Sequence, residues 1–163
     1  MRLSTRGRYA VMAMVELAAR ERSDSEGVSR LQVSLAEIAQ AQMLSLAYLE
    51  QLFGPLRRAG LVASTRGPGG GYRLGRTPRE ISIAEIVEAV DEPIQATRCE
   101  EGGPGCLAGQ RCLTHDLWAE LGDQIRLFLA AMTLADVIQG RVLGRAQAPR
   151  TTDPGFRTAE AAQ

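Results

Sequence analysis

Three cysteines and one histidine lie within 17 residues of one another, and the chain contains no other cysteine or histidine. They are Cys99, Cys106, Cys112 and His115, with six, five and two residues between successive members. Thiolates and imidazoles are ligands of zinc and of iron. Structural zinc sites usually contain two cysteines about two to four residues apart. The wider spacing here favours a glycine-rich loop around a larger iron-sulfur cofactor, and zinc stays open as an alternative.

These residues offer little for catalysis. A cysteine nucleophile requires an oriented base beside it, and the only histidine lies among the cysteines. We therefore expect a protein that is not an enzyme. Glu16 interrupts the apolar run near the N-terminus, and the sequence has no stretch of the roughly 18 apolar residues that a membrane span requires. We expect a cytoplasmic protein without membrane contact, in a compartment that keeps cysteines reduced.

Apolar periodicity and capping signals predict a mostly helical protein. A first helix is expected over residues 9–20. Ser34 and Glu37 form a capping-box pattern for a second helix that ends near Gln42, and Ser45 is the expected N-cap of a third helix over residues 46–53. The short turn between the last two helices is typical of a helix-turn-helix motif.

A glycine-rich hairpin follows this motif, with short strands expected at residues 61–64 and 72–74. Its tip comprises Arg66, Gly67, Pro68, Gly69, Gly70 and Gly71. A nucleotide-binding loop would need a Lys-Ser/Thr pair and a helix after its glycines, and neither follows here. The predicted fold is mostly α with a small two-stranded β wing. In such a winged helix-turn-helix domain, Arg66 is placed to enter a minor groove of double-stranded DNA.

Charge is divided between the two halves of the chain. The formal net charge is zero, but residues 1–80 hold 12 arginines and 7 acidic residues, whereas residues 81–163 hold 7 arginines and 12 acidic residues. A basic half is expected of a domain that binds nucleic acid. We therefore assign a DNA-binding domain to residues 1–80, a cluster-binding loop and dimerisation helix to 81–143, and a disordered tail to 144–163.

The second half is predicted to contain a helix at residues 83–90 and a long helix over about residues 114–139. Six apolar residues are spaced by fours and threes along the long helix: Leu117, Leu121, Ile125, Phe128, Met132 and Ala135. At about 1.5 Å per residue, this helix would be roughly 40 Å long, more than so small a domain can cover. We expect part of its apolar stripe to pack against a second copy in a twofold-symmetric homodimer.

Several motifs resemble those of the bacterial winged-helix iron-sulfur and redox-sensing repressors, in particular the iron-sulfur cluster regulator (IscR) type. They lie at residues 1–3, 7–11, 48–53, 66–72, 96–99 and 112–115. The resemblance extends over residues 1 to about 140. It implies a dimeric repressor or activator that carries one [2Fe-2S] cluster per protomer and controls genes for cluster assembly and oxidative stress. It also implies that the three cysteines and the histidine are the cluster ligands.

The resemblance assigns residues to DNA contacts as well. It implies that Glu50 and Gln51 face base edges from the recognition helix and that Arg66 enters the minor groove. It places Tyr9 and Tyr48 near phosphates. Glutamine can pair with adenine, and a carboxylate can accept a hydrogen bond from cytosine N4 but repels other base patterns. The resemblance further implies that Glu50 inhibits DNA binding and that cluster binding relieves this inhibition.

The sequence departs from the family pattern at several positions. Ala47 stands where the family has a base-contacting serine, so a hydroxyl contact is lost and a thymine-methyl contact becomes conceivable. The gap between the first two cysteines is one residue longer and contains a Gly-Gly-Pro-Gly stretch. Pro55 lies inside the expected recognition helix and is expected to kink or end it.

Two other functions remain open on the sequence alone. One is a nitric-oxide-sensing or redox-sensing iron-sulfur repressor, against which His115 as fourth ligand argues. The other is a zinc-binding accessory protein of cluster assembly, against which the basic N-terminal half argues. Besides operator DNA, cluster-assembly proteins and RNA polymerase are the expected partners.

Overall fold

The computed structural model describes residues 4–23, 32–67, 69–90 and 112–143, and these ranges contain six helices and two strands. The helices are α1 (Thr5–Ser23), α2 (Leu35–Gln42), α3 (Leu46–Arg58), α4 (Ile83–Val90), α5 (His115–Ala130) and α6 (Leu134–Ile138). The strands are β1 (Val62–Thr65) and β2 (Gly71–Leu74). The expected fold, mostly α with a two-stranded wing, is confirmed. Cys99, Cys106, Pro68 and the predicted tail lie outside the described residues.

The core forms around α1, which packs against α2, α3, α4, α6 and β2. Met14 and Leu17 of α1 are fully buried, as are Ile38 of α2 and Ile86 of α4. The recognition helix contributes a complete buried face, formed by Leu49, Leu52, Phe53 and Leu56. Because one face of α3 is committed to the core, its opposite face is presented to solvent.

The start of α2 is a capping box, as expected. The Ser34 hydroxyl accepts a hydrogen bond from the Glu37 N–H at 3.3 Å, and the Glu37 carboxylate accepts one from the Ser34 N–H at 2.9 Å. Val33, just before the cap, pairs with Tyr72 of β2 through two backbone hydrogen bonds of 2.8 Å. These bonds fasten the start of α2 to the wing. Ser45 is the N-cap residue of α3, as expected, although its side chain makes no capping hydrogen bond.

The turn between α2 and α3 contains a methionine in the left-handed backbone conformation. Met43 has φ 52° and ψ 43°, and it is the only non-glycine residue with positive φ in the described ranges. Leu44 N donates to Ala39 O at 2.9 Å, which is the longer hydrogen bond of a Schellman motif. Glycine is favoured at this position because a Cβ there lies close to a carbonyl oxygen. Met43 is 92% exposed, so core packing does not offset the strain.

Pro55 does not end the recognition helix. α3 continues to Arg58, so the expectation that the proline ends it was wrong. Pro55 lacks the N–H that would donate to the carbonyl of Gln51. However, Leu56 is fully buried, and Ala59 N and Leu61 N donate to the carbonyls of Pro55 and Leu56 at 2.9 and 3.0 Å. Burial of the last turn therefore keeps it helical despite the missing hydrogen bond.

The wing is an antiparallel hairpin, in which Val62 lies opposite Leu74 and Thr65 opposite Gly71. Gly67 at its tip has φ 108°, a conformation that residues with a Cβ rarely adopt. A Cβ on Gly71 would lie 2.7 Å from the Val33 carbonyl oxygen, so the strand can approach the start of α2 only with glycine there. The hairpin expected from the glycine-rich stretch is confirmed.

The long helix expected over residues 114–139 is two helices, so that prediction was wrong. α5 ends at Ala130, and α6 begins after Thr133, whose hydroxyl accepts a hydrogen bond from Asp136 N at 3.2 Å. Met132 between them is 2% exposed, and its carbonyl accepts a hydrogen bond from Ile83 N at 2.8 Å. Met132 and Leu134 thus belong to the core of their own chain, which requires the chain to turn before α6.

We expect Met43→Gly to raise the free energy of unfolding by about 0.5–1 kcal/mol, because glycine adopts the left-handed conformation without the Cβ penalty. Denaturant unfolding followed by circular dichroism measures the change. Leu143→Gly replaces a side chain of similar exposure, 93%, and serves as the control. A less stable Met43→Gly protein would show instead that the methionine side chain makes stabilising contacts that outweigh its backbone strain.

Candidate nucleic-acid interface and metal centre

The exposed face of α3 carries three of the residues expected to contact DNA. Ala47, Glu50 and Gln51 are all exposed, and their spacing of three and four residues places them side by side on the helix. Glutamine presents both a donor and an acceptor, whereas a carboxylate presents acceptors alone. Such a surface distinguishes base edges in a major groove. The structure brings these three residues together as expected.

Two tyrosines lie at the junction of α1 and α3. The rings of Tyr9 and Tyr48 meet edge to face, with centroids 5.9 Å apart and an interplanar angle of 89°. The Arg8 guanidinium carbon lies 5.4 Å from the centre of the Tyr9 ring. Two phenols and a guanidinium, all able to donate to phosphate oxygens, therefore lie near the exposed face of α3. Sequence reasoning did not single out Arg8, although it is part of the Gly7-Arg8-Tyr9 motif.

The wing adds further positive charge to this side of the molecule. Arg66 and Gly67 are exposed after β1, and Gly69 is exposed while Gly70 is half-buried at the other side of the tip. Arg57, near the end of α3, donates to the Ser64 hydroxyl of β1 at 3.5 Å. Sequence reasoning missed three exposed arginines near the wing: Arg57, Arg58 and Arg73. Basic residues in the last turn of a helix that precedes a hairpin were the signal available for the first two.

Two of the four expected metal ligands lie on one turn at the start of α5. Cys112 is half-buried, its Sγ lies 3.5 Å from the Thr114 hydroxyl, and His115 N donates to the Cys112 carbonyl at 3.1 Å. A thiol and an imidazole three residues apart fit a centre for iron or zinc. The other two expected ligands lie outside the described residues, and within those residues no three His, Cys, Asp or Glu side chains are grouped to hold a metal.

Residues 3–140 match the family Rrf2, which is described as "Iron-dependent Transcriptional regulator". The chain belongs to the Rrf2 family. A protein of Photorhabdus laumondii named "HTH-type transcriptional regulator IscR" is 46% identical to it, and the alignment covers 98% of this chain and 95% of the relative. A protein of the same name from Pectobacterium carotovorum is 50% identical over 86% of this chain and 81% of the relative. This Rrf2-family chain is a DNA-binding transcriptional regulator of the IscR type and not an enzyme.

Solved structures of similar proteins agree with the observed fold. CymR of B. subtilis, titled the global cysteine regulator, is 36% identical with a TM-score of 0.69, and the match covers 86% of this chain and 98% of that one. The structure titled "T. potens IscR" is 35% identical with a TM-score of 0.66, covering 91% of this chain and 94% of that one. The winged-helix fold of this Rrf2-family chain is therefore shared with solved relatives. None of its described helices is long and apolar enough to cross a membrane.

A half-buried carboxylate holds the base of the wing to α1 in this Rrf2-family regulator. The Glu21 carboxylate accepts a hydrogen bond from Leu74 N at 2.6 Å. Burial raises the pKa of Glu21 above its usual value, although the hydrogen bond from Leu74 and the charge of Arg73 act in the opposite direction. The carboxylate thus positions β2 at some cost when it is ionised.

The segment between the wing and α4 is held from two sides. Arg76 donates to the Glu85 carboxylate of α4 at 2.6 Å. Burial raises the pKa of Glu85, but hydrogen bonds from Ser82 N and Arg76 outweigh it and hold that pKa below its usual value.

On the other side, Ile83 N donates to Met132 O at 2.8 Å and Leu134 N donates to Ile81 O at 3.0 Å. We call residues 76–85, with these bonds, the clasp: it joins the wing to the α5–α6 junction.

We expect Glu21→Gln to remove a pH-dependent cost of folding. A carboxyl group whose pKa is raised by folding binds its proton more readily in the folded state, so ionisation above its unfolded pKa of about 4.5 destabilises the fold. Glutamine keeps an acceptor for Leu74 N without the charge. The stability of the variant relative to wild type should therefore increase between pH 4 and pH 7, as measured by denaturant unfolding at several pH values.

The matched control for this experiment is Glu88→Gln, which removes an exposed carboxylate from α4. It reports the effect of losing one negative charge without the half-buried environment. A difference between Glu21→Gln and wild type that stays constant from pH 4 to pH 7 would contradict the assignment of a raised pKa to Glu21.

Proposed function

We propose that this regulator depends on an iron-sulfur cluster, binds operator DNA as a homodimer, and controls genes for cluster assembly and stress. The observation that carries the proposal is that Cys112 and His115 lie at the start of α5, in the same chain that exposes Glu50 and Gln51 on α3. Residues 1–80 then form the DNA-binding domain, and residues 81–143 hold the cluster and the dimer contacts. Genes are repressed or activated according to the operators to which the dimer binds.

The proposed cofactor is one [2Fe-2S] cluster per protomer, with Cys99, Cys106, Cys112 and His115 as ligands. Thiolate and neutral imidazole both ligate iron, and Cys112 and His115 lie close enough in sequence to serve one centre from a single turn. When bound, the cluster supplies a redox-active group whose presence reports iron supply and oxidant exposure. Within the chain, Cys112 and His115 hold the start of α5 to that centre. Cluster-assembly proteins would deliver it.

The proposed DNA contacts follow from the exposed faces. α3 lies in the major groove, where Glu50, Gln51 and Ala47 face base edges. Arg66 enters the adjacent minor groove from the wing, and the backbone of the tip, residues 67–71, allows a close approach to the sugar-phosphate chain. Tyr9 and Tyr48 lie beside phosphates. Glu50 rejects base patterns that offer it no donor, so its placement decides which sites are bound.

The proposed homodimer rests on the exposed apolar side chains of α5. Leu117, Leu121, Ile125 and Phe128 are spaced by four, four and three residues, so they follow one stripe of the helix. Leu117 is 62% exposed and Phe128 is 39% exposed in the single chain. Apolar side chains arranged in this way on one helix favour packing against the same helix of a second copy. RNA polymerase would then be contacted by the dimer on DNA.

The clasp supplies a route by which the cluster could affect DNA binding. Its backbone hydrogen bonds join residues 81 and 83 to the α5–α6 junction, and its Arg76–Glu85 ion pair joins the wing to α4. α4 also packs against α3 and α5. A shift of α5 on cluster binding would thus reach both the recognition helix and the wing through packed elements, which is the physical requirement for coupling two sites.

We expect Arg66→Ala to weaken binding to operator DNA by at least tenfold. The substitution removes a cation from the narrow minor groove, and the loss is comparable to that of about one phosphate contact. Arg126→Ala is the control: Arg126 lies on α5 in a surface ion pair with Asp123 at 3.7 Å, and its loss should leave affinity unchanged. Fluorescence anisotropy at several salt concentrations measures both variants. Equal losses of affinity in the two variants would contradict the proposed role of the wing.

We expect Cys112→Ala and His115→Ala to lose the iron, the sulfide and the visible absorption of protein purified without oxygen. Leu113→Ala is the control because Leu113 also lies between them and its side chain is fully exposed. The cluster-free variants should also bind a different set of sequences selected from random DNA, and adding Glu50→Ala should restore the sites that they reject, each mismatch being worth about 1–3 kcal/mol.

Three outcomes would contradict the proposal. Zinc in place of iron and sulfide would indicate a zinc-binding protein. Full cluster retention in Cys112→Ala or His115→Ala would remove that residue from the ligand set. Identical site preferences with and without cluster would mean that the cluster does not select operators.

A further inference from the structure

An apolar surface is exposed at the α2–α3 turn, and the proposed function assigns a role to only one of its residues, Ala47. Met43 is 92% exposed, Leu46 at the start of α3 is 44% exposed, and the neighbouring Ala47 is exposed too. We call these three side chains the turn surface. The exposed apolar side chains of α5 have an explanation in the proposed dimer, but the turn surface lies on a different element.

The strained backbone at Met43 is not explained by packing of its side chain. With φ 52° it stands at a position that glycine occupies with less strain, and its side chain contributes nothing to the core. Strain of this kind is concentrated at sites of function because local stability alone does not favour it. A flexible thioether side chain adapts to irregular apolar contacts.

The position of the turn surface identifies its partner. Leu46 and Ala47 lie one turn before Glu50 and Gln51 on the exposed side of α3, and Met43 lies in the turn that precedes this helix. In helix-turn-helix proteins the N-terminal end of this helix contacts base edges. The thymine C5-methyl is the apolar group that base pairs present in the major groove. An apolar surface at this end therefore matches a thymine methyl and does not match the hydrogen-bonding edges of guanine or cytosine.

We propose that Met43, with Leu46 and Ala47, reads a thymine methyl group in each half of the operator. This inference rests on the proposed placement of α3 in the major groove. Met43 and Leu46 extend the reading surface beyond Glu50 and Gln51 toward the N-terminal side. The chain then distinguishes thymine from cytosine at a position where it makes no hydrogen bond.

Substituting deoxyuridine for thymidine tests this directly, since uracil keeps every hydrogen-bonding group of thymine and lacks the methyl. The probe is a duplex that the wild-type protein selects from a randomised library, with each thymidine replaced in turn. Wild type should lose about fourfold in affinity, the contribution of one buried methyl group, at a thymidine in each half-site. Met43→Gly should bind the thymidine and deoxyuridine duplexes nearly equally there, because it lacks the apolar side chain.

Leu143→Gly is the matched control, since Leu143 is 93% exposed and is the last of the described residues, far from α3 in the sequence. It should show the wild-type pattern at every position. Met43→Asn is a second variant, because asparagine tolerates the left-handed conformation and is polar, and it should lose the methyl discrimination as Met43→Gly does. Neither substitution at residue 43 introduces backbone strain, so a changed pattern reports recognition and not unfolding.

The outcomes separate this inference from the function on which it rests. If the protein enriches no duplex from the library, the proposed function fails. If a duplex is enriched but wild type ignores every methyl group, or Met43→Gly keeps the full discrimination, the inference is overturned and the proposed function stands. If Met43→Gly alters transcription by purified RNA polymerase with an unchanged methyl pattern, Met43 contacts the polymerase, and the inference is likewise overturned.

Discussion

Phe53 and Tyr72 meet edge to face, with ring centroids 4.8 Å apart and an interplanar angle of 74°. Phe53 is fully buried on the recognition helix, whereas Tyr72 lies on the second wing strand and pairs through its backbone with Val33, just before α2. Through this ring contact and its backbone bonds, Tyr72 therefore joins α3, the wing and the start of α2. Aromatic rings carry large buried areas with directional preferences, so they set the orientation of the elements that bear them. The contact between Phe53 and Tyr72 consequently fixes the orientation of the wing relative to α3.

The α5–α6 junction is attached to the start of α4 through backbone hydrogen bonds. Ile81 and Ile83 exchange bonds with Leu134 and Met132, and both isoleucines are buried. Bonds between backbone groups in a buried junction are costly to leave unmade, so the junction resists separation. α5 is therefore linked to α4, which also packs against α3, although α5 exposes Leu117 and Phe128 to solvent.

Several unfavourable local features lie in the N-terminal half of the chain. Met43 adopts a left-handed backbone, Pro55 removes a helical hydrogen bond, and Glu21 places a carboxylate in a half-buried position at the base of the wing. The buried residues of α1 and α3 offset these costs, because marginal stability is the sum of large opposing contributions. Met43 and Pro55 lie just before and within α3, whose exposed face carries Glu50 and Gln51. At such positions, selection for function and selection for stability differ.

The sequence alone determined what depends on neighbours within a few residues. The capping box at Ser34, the glycine hairpin and the exposed pair Glu50 and Gln51 were all predictable, because capping, turn geometry and helix faces are local properties. Residue type and spacing also indicated four metal ligands, Cys99, Cys106, Cys112 and His115, and this assignment stays a prediction.

Tertiary structure decided the features that depend on distant contacts. The break between α5 and α6 arises because Met132 and Leu134 are buried against the segment that precedes α4, about 50 residues earlier, and the apolar spacing of a continuous helix looks the same locally. Similarly, α3 passes Pro55 because Leu56 is buried in the core, which no local rule predicts. Each buried side chain contributes about as much free energy as the local signal that it opposes. Burial of more than one side chain against remote residues, as with Met132 and Leu134, therefore overrides the local preference.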